Sequence, residues 1–561
     1  MNCMNCEQIR QMLLSSAARV IRNEPYLTAI DSAVGDGDHG IGLKNGMQAA
    51  QCYLEGASEE TNAYALYATM AEKMQAAMGG ASGMIFSTLF AGRAAQKEPA
   101  AEISPLDLAN QMQEGLQAIQ ELGHAQIGDK TMVDALAPAV EAMLRNTESF
   151  ERMFEAGCKG AYEGMLKTKE YTARFGRAKS LGKRAIGHQD AGATSTWLIF
   201  LAMKDFVTGQ KSPDPVLEKQ TLCENTVDIK WKKKIINNPD DVVAEEAEGF
   251  LAAFGEKLTA VPGVKGLIKK EIPEGKVALV IGGGSGHEPM FGFFLGENLA
   301  DAAANGNVFA SPDPVTIAAT ARAASRGAGI MFLYGCYAGD NLNFDKAAST
   351  LEKEGVPVKT IRVWDDIASA PRERITDRRG IAGDVLMLKI AGAACAKLDL
   401  EGAYRVTAKA RDNLYSIGVG LEGATIPGQK DPIFTLPADE MEYGLGIHGE
   451  PGVERRKMES ADEIVENLYS AIIEESGIAA GDTVCTYVNG LGSTTLMELM
   501  IMNRKLSQLL RRDGIIVHDM DVNSLVTTME MAGASISIMK MDNELLHYYD
   551  MPCSSPYYTK Q

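Results

Sequence analysis

Two patterns of apolar and polar positions divide the chain. From Glu7 to about Phe206, apolar residues recur three and four apart among Ala, Met, Leu, Glu and Gln, as in QIRQMLLSSAARVI and YALYATMAEKMQAAM. That spacing puts them on one face of an α-helix, and the intervening residues are good helix formers. Strand-like runs are nearly absent, so an antiparallel helical bundle or barrel is predicted, with glycine-rich pieces as loops at one end. After Lys234 the pattern changes. KVALVI (276–281) is followed at once by GGGSGHEP, GIMFLY leads into GCYAGDNLNF, and VPVKTIRVW leads into DDIASAP. Short apolar runs alternating with glycine loops and helices predict a parallel α/β sheet, with ligands bound where loops leave the strands' carboxyl ends. The stretch between, TGQKSPDPVLEKQTLCENTVDIKWKKK, lacks sustained periodicity and reads as a connector in which Trp231 docks the chain. The expected boundaries are a helical domain at 1–207, a linker at 208–232 and an α/β domain at 233–561, the last in two lobes of about 233–400 and 401–561.

A formal net charge of -19 and a pI near 5.0 argue against nucleic acid or an anionic membrane as the main partner. No apolar run of about 18 residues predicts a membrane span, and the N-terminus shows no basic-then-apolar leader, so a cytoplasmic protein is expected. The nine scattered cysteines read as reduced thiols; Cys3 and Cys6 form a CxxC, but no second pair follows at zinc spacing.

Candidate chemistry sits in the glycine-rich pieces. DSAVGDGDHG places Asp31, Asp36 and Asp38 within eight residues. Carboxylates this close repel unless a cation sits among them, and hard oxygen donors suit Mg²⁺ carrying a nucleotide's phosphates. Gly35 and Gly37 let the turn bend, and Gly40 keeps the approach open. GGASG (79–83), before MIFSTLF, offers helix N-terminal N–H groups to phosphate oxygens. GHAQIGDKTMVDAL carries Asp129 and Lys130 before a helix capped near Thr131. GRAKSLGKRAIGHQDAGATS groups Arg177, Lys179, Lys183 and Arg184, which suit polyphosphate. In the second half, Gly282–His287 lacks GxGxxG spacing, so a dinucleotide fingerprint is not supported. Its glycines instead bring backbone N–H groups near a small polar ligand, with His287 at the rim.

Taken together, DxxxxGDGDHG, GGASG, GDKTMxDAL and GRAxxLGxRxIGHQDxGA resemble the nucleotide-binding L unit of the dihydroxyacetone kinase family. GGGSGHEP, GNVFASPDP, YAGDNLNF, RRGIAGDVLMLKIAGAAC, MEYGLGIHGEPG, VNGLGSTTLMEL and MEMAGASISIMKMDNELL resemble its substrate-binding K unit. The resemblance implies an eight-helix barrel followed by a two-lobed α/β unit. It implies that Asp31, Asp36 and Asp38 hold Mg²⁺ against ATP, and that His39, Gly40, Ala81, Ser82, Gly123, Met132, Arg177, Asp190 and Gly192 line the nucleotide pocket. It also implies that His448 adds to a ketone as a hemiaminal, that Gly284, Ser285, Gly286, His287 and Asp340 surround the ketose, and that His287 and Asp340 move protons. Gly446 and Gly449 are read as leaving room beside His448. A homodimer is expected.

Several positions depart from the family pattern. Gly42 replaces a frequent Asn, and Ala191 a usual Pro. Where many members carry Lys-Asn-Tyr-Thr-Gly-Asp, the chain reads Gly335-Cys336-Tyr337-Ala338-Gly339-Asp340, and MFGFF follows GHEP. Loss of the lysine and the threonine changes charge and volume beside the ketose, so erythrulose stands as an alternative to dihydroxyacetone. The L unit also precedes the K unit, reversing the common order. Competing readings are a phosphotransferase-dependent enzyme that retains ADP, a carbonyl-binding sensor without turnover, and a nucleotide lyase side activity.

Overall fold

The computed structural model describes residues 2–32, 39–176, 179, 182, 185–215 and 234–561. The chain forms two compact units, Met1–Thr226 and Val227–Gln561.

The first unit contains α1 (Cys6–Arg22), α2 (Glu24–Ser32), α3 (His39–Gly56), α4 (Ala63–Met78), α5 (Gly80–Ala91), α6 (Pro105–Gly123), α7 (Val133–Leu144), α8 (Phe150–Lys167) and α9 (Ala191–Thr208), with one short pairing of β1 (Met4–Asn5) and β2 (Glu102–Ile103). Eight helices close a ring: α1 packs on α3, each helix from α3 to α8 packs on the next, and α9 returns to α1. The nine-residue α2 lies against α3 and α9. The interior is filled by Met12, Met47, Met70, Met74, Met112, Met143, Phe90, Phe154 and Phe200, so these methionines are core.

The ring is tightest between α7 and α8. Pro138 inside α7 has no N–H to give the Asp134 carbonyl one turn earlier. Gly164 of α8 faces that freed oxygen, where a Cβ would collide, and a Cβ on Gly160 would stand 2.6 Å from the Pro138 carbonyl. After α9 the chain stays docked: Asp205 accepts the Ser212 N–H at 2.7 Å, and Arg19 pairs with Asp205 at 3.0 Å and Asp214 at 3.1 Å. The expected connector thus begins as a pinned segment through Asp214, while Trp231 lies outside the described residues.

The second unit opens with α10 (Val242–Phe254). Its first sheet has β3 (Leu258–Val261), β4 (Gly266–Lys269), β5 (Ala278–Ser285), β6 (Ala302–Val308), β7 (Ile330–Gly335) and β8 (Val358–Val363), in the order β3-β4-β6-β5-β7-β8. The inner run β6-β5-β7-β8 is parallel as expected, and β3 and β4 add an antiparallel edge. Both faces are covered. Val280, Phe332 and Tyr334 join the core under α11 (Pro314–Ala324) and α12 (Ala338–Lys353), while Leu279, Ile281, Met331 and Leu333 join the core under α13 (Asp384–Lys397). Burial on two faces explains why these strands read as continuous apolar runs. α14 (Leu400–Arg411) packs on β7 and β8, so the first lobe's helices continue to Arg411.

The second sheet comprises β9 (Leu414–Glu422), β10 (Glu440–Tyr443), β11 (Glu454–Lys457), β12 (Thr483–Gly490), β13 (Ile516–Asn523) and β14 (Ala532–Met541), in the order β11-β10-β9-β14-β12-β13. The expectation of a parallel sheet fails here, since every neighbour is antiparallel except β12 and β13. The reason is connectivity. α16 (Leu496–Arg512) supplies a crossover between β12 and β13, whereas β10 and β11 are joined directly by the GLGIHGEPGV turn region. α15 (Ala461–Ser476) and α16 bury Leu468, Ile472, Leu506 and Leu510 against this sheet. α17 (Asn543–Tyr549) packs on α13, so it ties the last strand back to the first lobe.

Gly164→Leu is expected to destabilise the helical unit by about 1–3 kcal/mol through overpacking against α7. Gly56→Ala, which has open space around it, serves as the neutral comparison. Thermal denaturation of the full chain measures both, and equal melting temperatures would show that the close approach is unimportant.

Candidate active site

In the α/β unit, three separate segments meet. β5 continues through Gly282–Ser285 rather than ending before the glycines, because a Cβ on Gly282 would collide with the Ala304 carbonyl of neighbouring β6. At Gly286 the backbone turns with φ of 101°, and a Cβ there would stand 2.6 Å from the Phe309 ring, so both conformation and space require glycine. The Thr527–Met529 segment clamps this turn. Thr527 N–H donates to the His287 carbonyl at 3.3 Å, Met529 N–H donates to the Gly286 carbonyl at 3.0 Å, and the Thr528 hydroxyl donates to the Ile447 carbonyl. The GHEP and GIHGE loops are thereby held side by side.

The consequence is a histidine pair. His287 Nε2 and His448 Nε2 stand 3.0 Å apart. His287 Nδ1 lies 2.6 Å from the Thr527 carbonyl, which only accepts, so this nitrogen carries a proton. His448 Nδ1 lies 3.0 Å from Glu450 Oε1, and the His448 backbone N–H donates to Glu450 Oε2 at 2.9 Å. Phe309 and Tyr337 wall the pair, with Tyr337 edge-on to His448 at 4.7 Å between centroids. Both histidines are buried.

The other expected substrate residues occupy this neighbourhood with different jobs. The Ser285 hydroxyl donates to the Gly306 carbonyl at 2.9 Å, leaving its oxygen as an acceptor. The Gly286 N–H is taken by Glu288 Oε1 at 2.9 Å, and Gly284 packs on Phe309 and Ala310, so these glycines do not present a row of open N–H groups as expected. Gly446 likewise makes room for protein: a Cβ there would collide with Glu450 Oε2 and stand 2.5 Å from Arg379. Asp340 sits in the first turn of α12, where its charge adds, after burial and Asp365, to what raises the Asp384 carboxyl. Sequence reasoning missed Glu450, Arg379, Tyr337, Phe309 and Glu288. Glu450 and Glu288 lie inside the GIHGEPG and GHEP motifs, within two residues of each histidine, and that adjacency was the available signal.

The helical unit brings Asp31 and His39 to the start of α3 and Asp190, Gly192 and Met132 to the start of α9. Asp31, in α2, accepts the His39 N–H at 3.2 Å, and His39 Nε2 lies 2.6 Å from Ser195 Oγ. Because the Ser195 hydroxyl donates to the Ala191 carbonyl at 3.0 Å, it accepts from His39 Nε2–H. Burial keeps His39 below its ordinary pKa and hence neutral, against the pull of Asp31. Asp190 caps α9 through the Ala193 N–H at 2.7 Å. Its pKa is pushed up to about 7, first by burial and further by Asp134 and Asp31, while Ala193 N–H and Lys130 pull it down. Lys130 is buried and donates to the Thr168 and His188 carbonyls, which pins the GHQD loop.

Ala81 and Ser82 lie in the first turn of α5, Gly123 ends α6, and Gly192 faces buried Met132. Gly40 does not open an approach. A Cβ there would meet the Thr28 hydroxyl and the Glu24 carbonyl, so it lets α3 close on α2. Asp36, Asp38, Arg177, Lys183 and Arg184 lie outside the described residues. Among the described residues no group of three His, Cys, Asp or Glu side chains is set for a metal. The part that is described still fits a hard cation: Asp134 and Asp31 add to the burial that holds a proton on Asp190, and that added negative charge is what a divalent ion would relieve.

Comparison with known proteins agrees with this division. Residues 248–557 match the Dak1 domain and residues 33–205 match the DAK2 domain. The chain belongs to the dihydroxyacetone kinase family. A dihydroxyacetone-binding subunit DhaK of a PTS-dependent dihydroxyacetone kinase from Listeria innocua is 39% identical over 329 residues, 58% of this chain and 99% of that protein. An L-erythrulose kinase from Pectobacterium atrosepticum is 40% identical over 58% of this chain, which spans 56% of that relative's length. The crystal structure of the C. freundii dihydroxyacetone kinase with AMP-PNP and Mg²⁺ superposes with a TM-score of 0.54 at 27% identity, covering 58% of this chain and 61% of that one. Relatives named as kinases thus place the chain among phosphotransferases of this family. No described helix is long and apolar enough to cross a membrane.

Beside the histidine pair, a cavity of about 250 Å³ is lined by Lys234, Glu246, Ser285, Gly286, Glu288 and Met529. Burial, and then the like charge of Glu288, raises Glu246 from its ordinary 4.5 to about 8. A carboxyl that binds its proton more tightly when folded stabilises the fold fully below about pH 4.5 and loses that contribution as pH rises through about 8. Glu246→Gln is therefore expected to raise the melting temperature at pH 8.5 by roughly 2 °C or more, with little change at pH 4.5. A shift independent of pH would rule out the raised Glu246 carboxyl.

Proposed function

We propose that the chain is an ATP-dependent kinase of a short-chain ketose, with the helical unit holding the nucleotide and the α/β unit holding the ketose covalently on His448. The observation that carries the reading is the buried histidine pair, in which His448 Nε2 faces His287 Nε2 against the Phe309 and Tyr337 rings. A neutral imidazole nitrogen adds reversibly to an activated ketone, and a proton donor beside it completes the addition. Such a link selects carbonyl compounds over polyols such as glycerol. Asp340 is the group that takes the proton of the attacking hydroxyl.

In the helical unit, Asp31 with Asp36 and Asp38 would hold Mg²⁺, which supplies charge neutralisation at the phosphates of ATP. His39 and Ser195 fix the start of α3 beside Asp31, and Asp190 fixes the start of α9. The active form is a homodimer in the cytoplasm.

Two substrates fit the family relationship. Dihydroxyacetone is named for the Listeria relative and L-erythrulose for the Pectobacterium relative. Gly335 and Ala338, in place of a lysine and a threonine, remove a charge and a hydroxyl next to Tyr337, which favours a ketose other than dihydroxyacetone, such as the four-carbon erythrulose.

The test is ATP consumption with dihydroxyacetone, both erythrulose enantiomers, glyceraldehyde and glycerol. Ketose-dependent turnover that requires Mg²⁺ is expected, with none on glycerol. His448→Ala is expected to lose on the order of 100-fold or more of kcat/KM. A His448→Ala protein with full ketose turnover would refute the covalent link, and turnover unaffected by chelation would refute the metal.

A further inference from the structure

The charges behind His448 form a continuous buried chain. Glu450 receives both the backbone N–H and Nδ1 of His448, at 2.9 and 3.0 Å. The Arg379 guanidinium lies 3.9 Å from Glu450 Oε2. Arg379 also donates from Nε to Asp366 at 2.9 Å and to the Gly444 carbonyl at 3.2 Å, and its second contact to Asp366 is 2.7 Å. Exposure is 7% for His448, 4% for Glu450, 9% for Arg379 and 1% for Asp366. Glycine at 446 is what lets carboxylate and guanidinium meet. Burial works against the Arg379 charge, but Asp366 and Glu450 outweigh it and hold the guanidinium above its ordinary pKa. Carboxylates this deep are costly unless paired, and buried charges left unpaired are costlier still, so the arrangement needs a function that repays its desolvation.

We infer that Glu450, itself set by Arg379 and Asp366, is a positioning residue that fixes His448 with its proton on Nδ1 and neutralises the cation formed when Nε2 adds to a ketone. This rests on the proposed covalent link. An ionised carboxylate only accepts, so a bond from Nδ1 to Glu450 puts the proton on Nδ1 and leaves Nε2 to react. The two facing Nε2 atoms then share one proton, and addition begins with it on His287. The Nε2 lone pair of His448 forms a bond to the carbonyl carbon. The carbonyl π pair moves to oxygen, and oxygen takes the proton from His287 Nε2. The products are a neutral His287 and an N-substituted imidazolium at His448. The positive charge has moved from one ring to the other, and Glu450 now sits against it. In water an imidazole adduct of a ketone lacks this counter-charge. Here the low-dielectric pocket makes the counter-charge effective.

The test uses [2-¹³C]dihydroxyacetone with the full-length chain and no nucleotide, read by ¹³C NMR. The wild type is expected to convert the ketone signal into a tetrahedral carbon signal that His448→Ala lacks. Glu450→Gln is expected to lose the adduct and about 100-fold in kcat/KM, while Glu450→Asp regains part of both. Circular dichroism and thermal melting check that the variants fold. Independently of any variant, ¹⁵N NMR of histidine-labelled wild type reads the tautomer, with His448 Nδ1 expected to be protonated. An adduct of full strength in folded Glu450→Gln, or an unprotonated His448 Nδ1 in the wild type, would overturn the inference while leaving the covalent link standing. A wild type with no adduct would instead overturn both the link and the role built on it.

Discussion

Two imidazole nitrogens held 3.0 Å apart must have a proton between them, because two lone pairs at that distance repel and two N–H groups collide. In the α/β unit the outer nitrogens are committed elsewhere, one to the Thr527 carbonyl and the other to Glu450, so the pair has no alternative tautomer that satisfies every contact. The unit's architecture serves this constraint. His287 lies just beyond β5 of the first sheet and His448 lies between β10 and β11 of the second. Neither sheet alone would bring them together, and the Thr527–Met529 segment bonds to both loops. Rigidity comes from backbone hydrogen bonds on three loops rather than from a long side chain reaching across, which keeps the ring positions accurate.

Glycine sets the scale on which these loops approach. Gly282 lets β5 lie against Ala304 of β6, Gly286 turns over Phe309, and Gly446 admits the Glu450 and Arg379 pair. Each would be read from sequence as freedom or as an opening, yet each is a place where another atom already sits. The same holds in the helical ring, where Gly40 closes α3 on α2 and Gly164 meets the carbonyl that Pro138 leaves unsatisfied. A glycine-rich motif therefore indicates that something comes close without indicating whether it is ligand or protein.

That distinction explains what could be read in advance. A helical bundle or barrel followed from periodicity and helix-forming composition, and its eight helices from the family resemblance; the parallel core of the first sheet followed from uninterrupted apolar runs, because burial on both faces writes itself directly into sequence. The antiparallel second sheet did not, since strand direction depends on whether a connection contains a crossover helix, and β9 to β11 lack one. His287 and His448 were legible through their motifs. Arg379 was not, because its partners Asp366, Gly444 and Glu450 come from three places in the chain and only the fold joins them. Glu450 stands two residues from His448 inside the same motif.

The two units handle buried charge in opposite ways, and the contrast bears on what each one binds. Around His448 the balance is internal: Asp366 and Glu450 face Arg379, and Glu450 faces the Nδ1 side of the ring whose Nε2 side shares a proton with His287. Around His39 the balance is incomplete among the described residues. Asp31 and Asp134 raise Asp190, while Lys130, the buried cation there, spends its protons on the Thr168 and His188 carbonyls. Burial keeps His39 neutral, and it is burial first, with the charge of Asp134 and Asp31 added to it, that lets Asp190 retain a proton up to about pH 7. A ligand that brings positive charge would release that proton and be held more tightly as pH rises, as coupled cation and proton binding requires. Under the proposed function, the helical site takes a cation-bearing ligand and the histidine pair takes an electrophilic carbon. Those are the complementary demands of moving a phosphoryl group onto a small ketose.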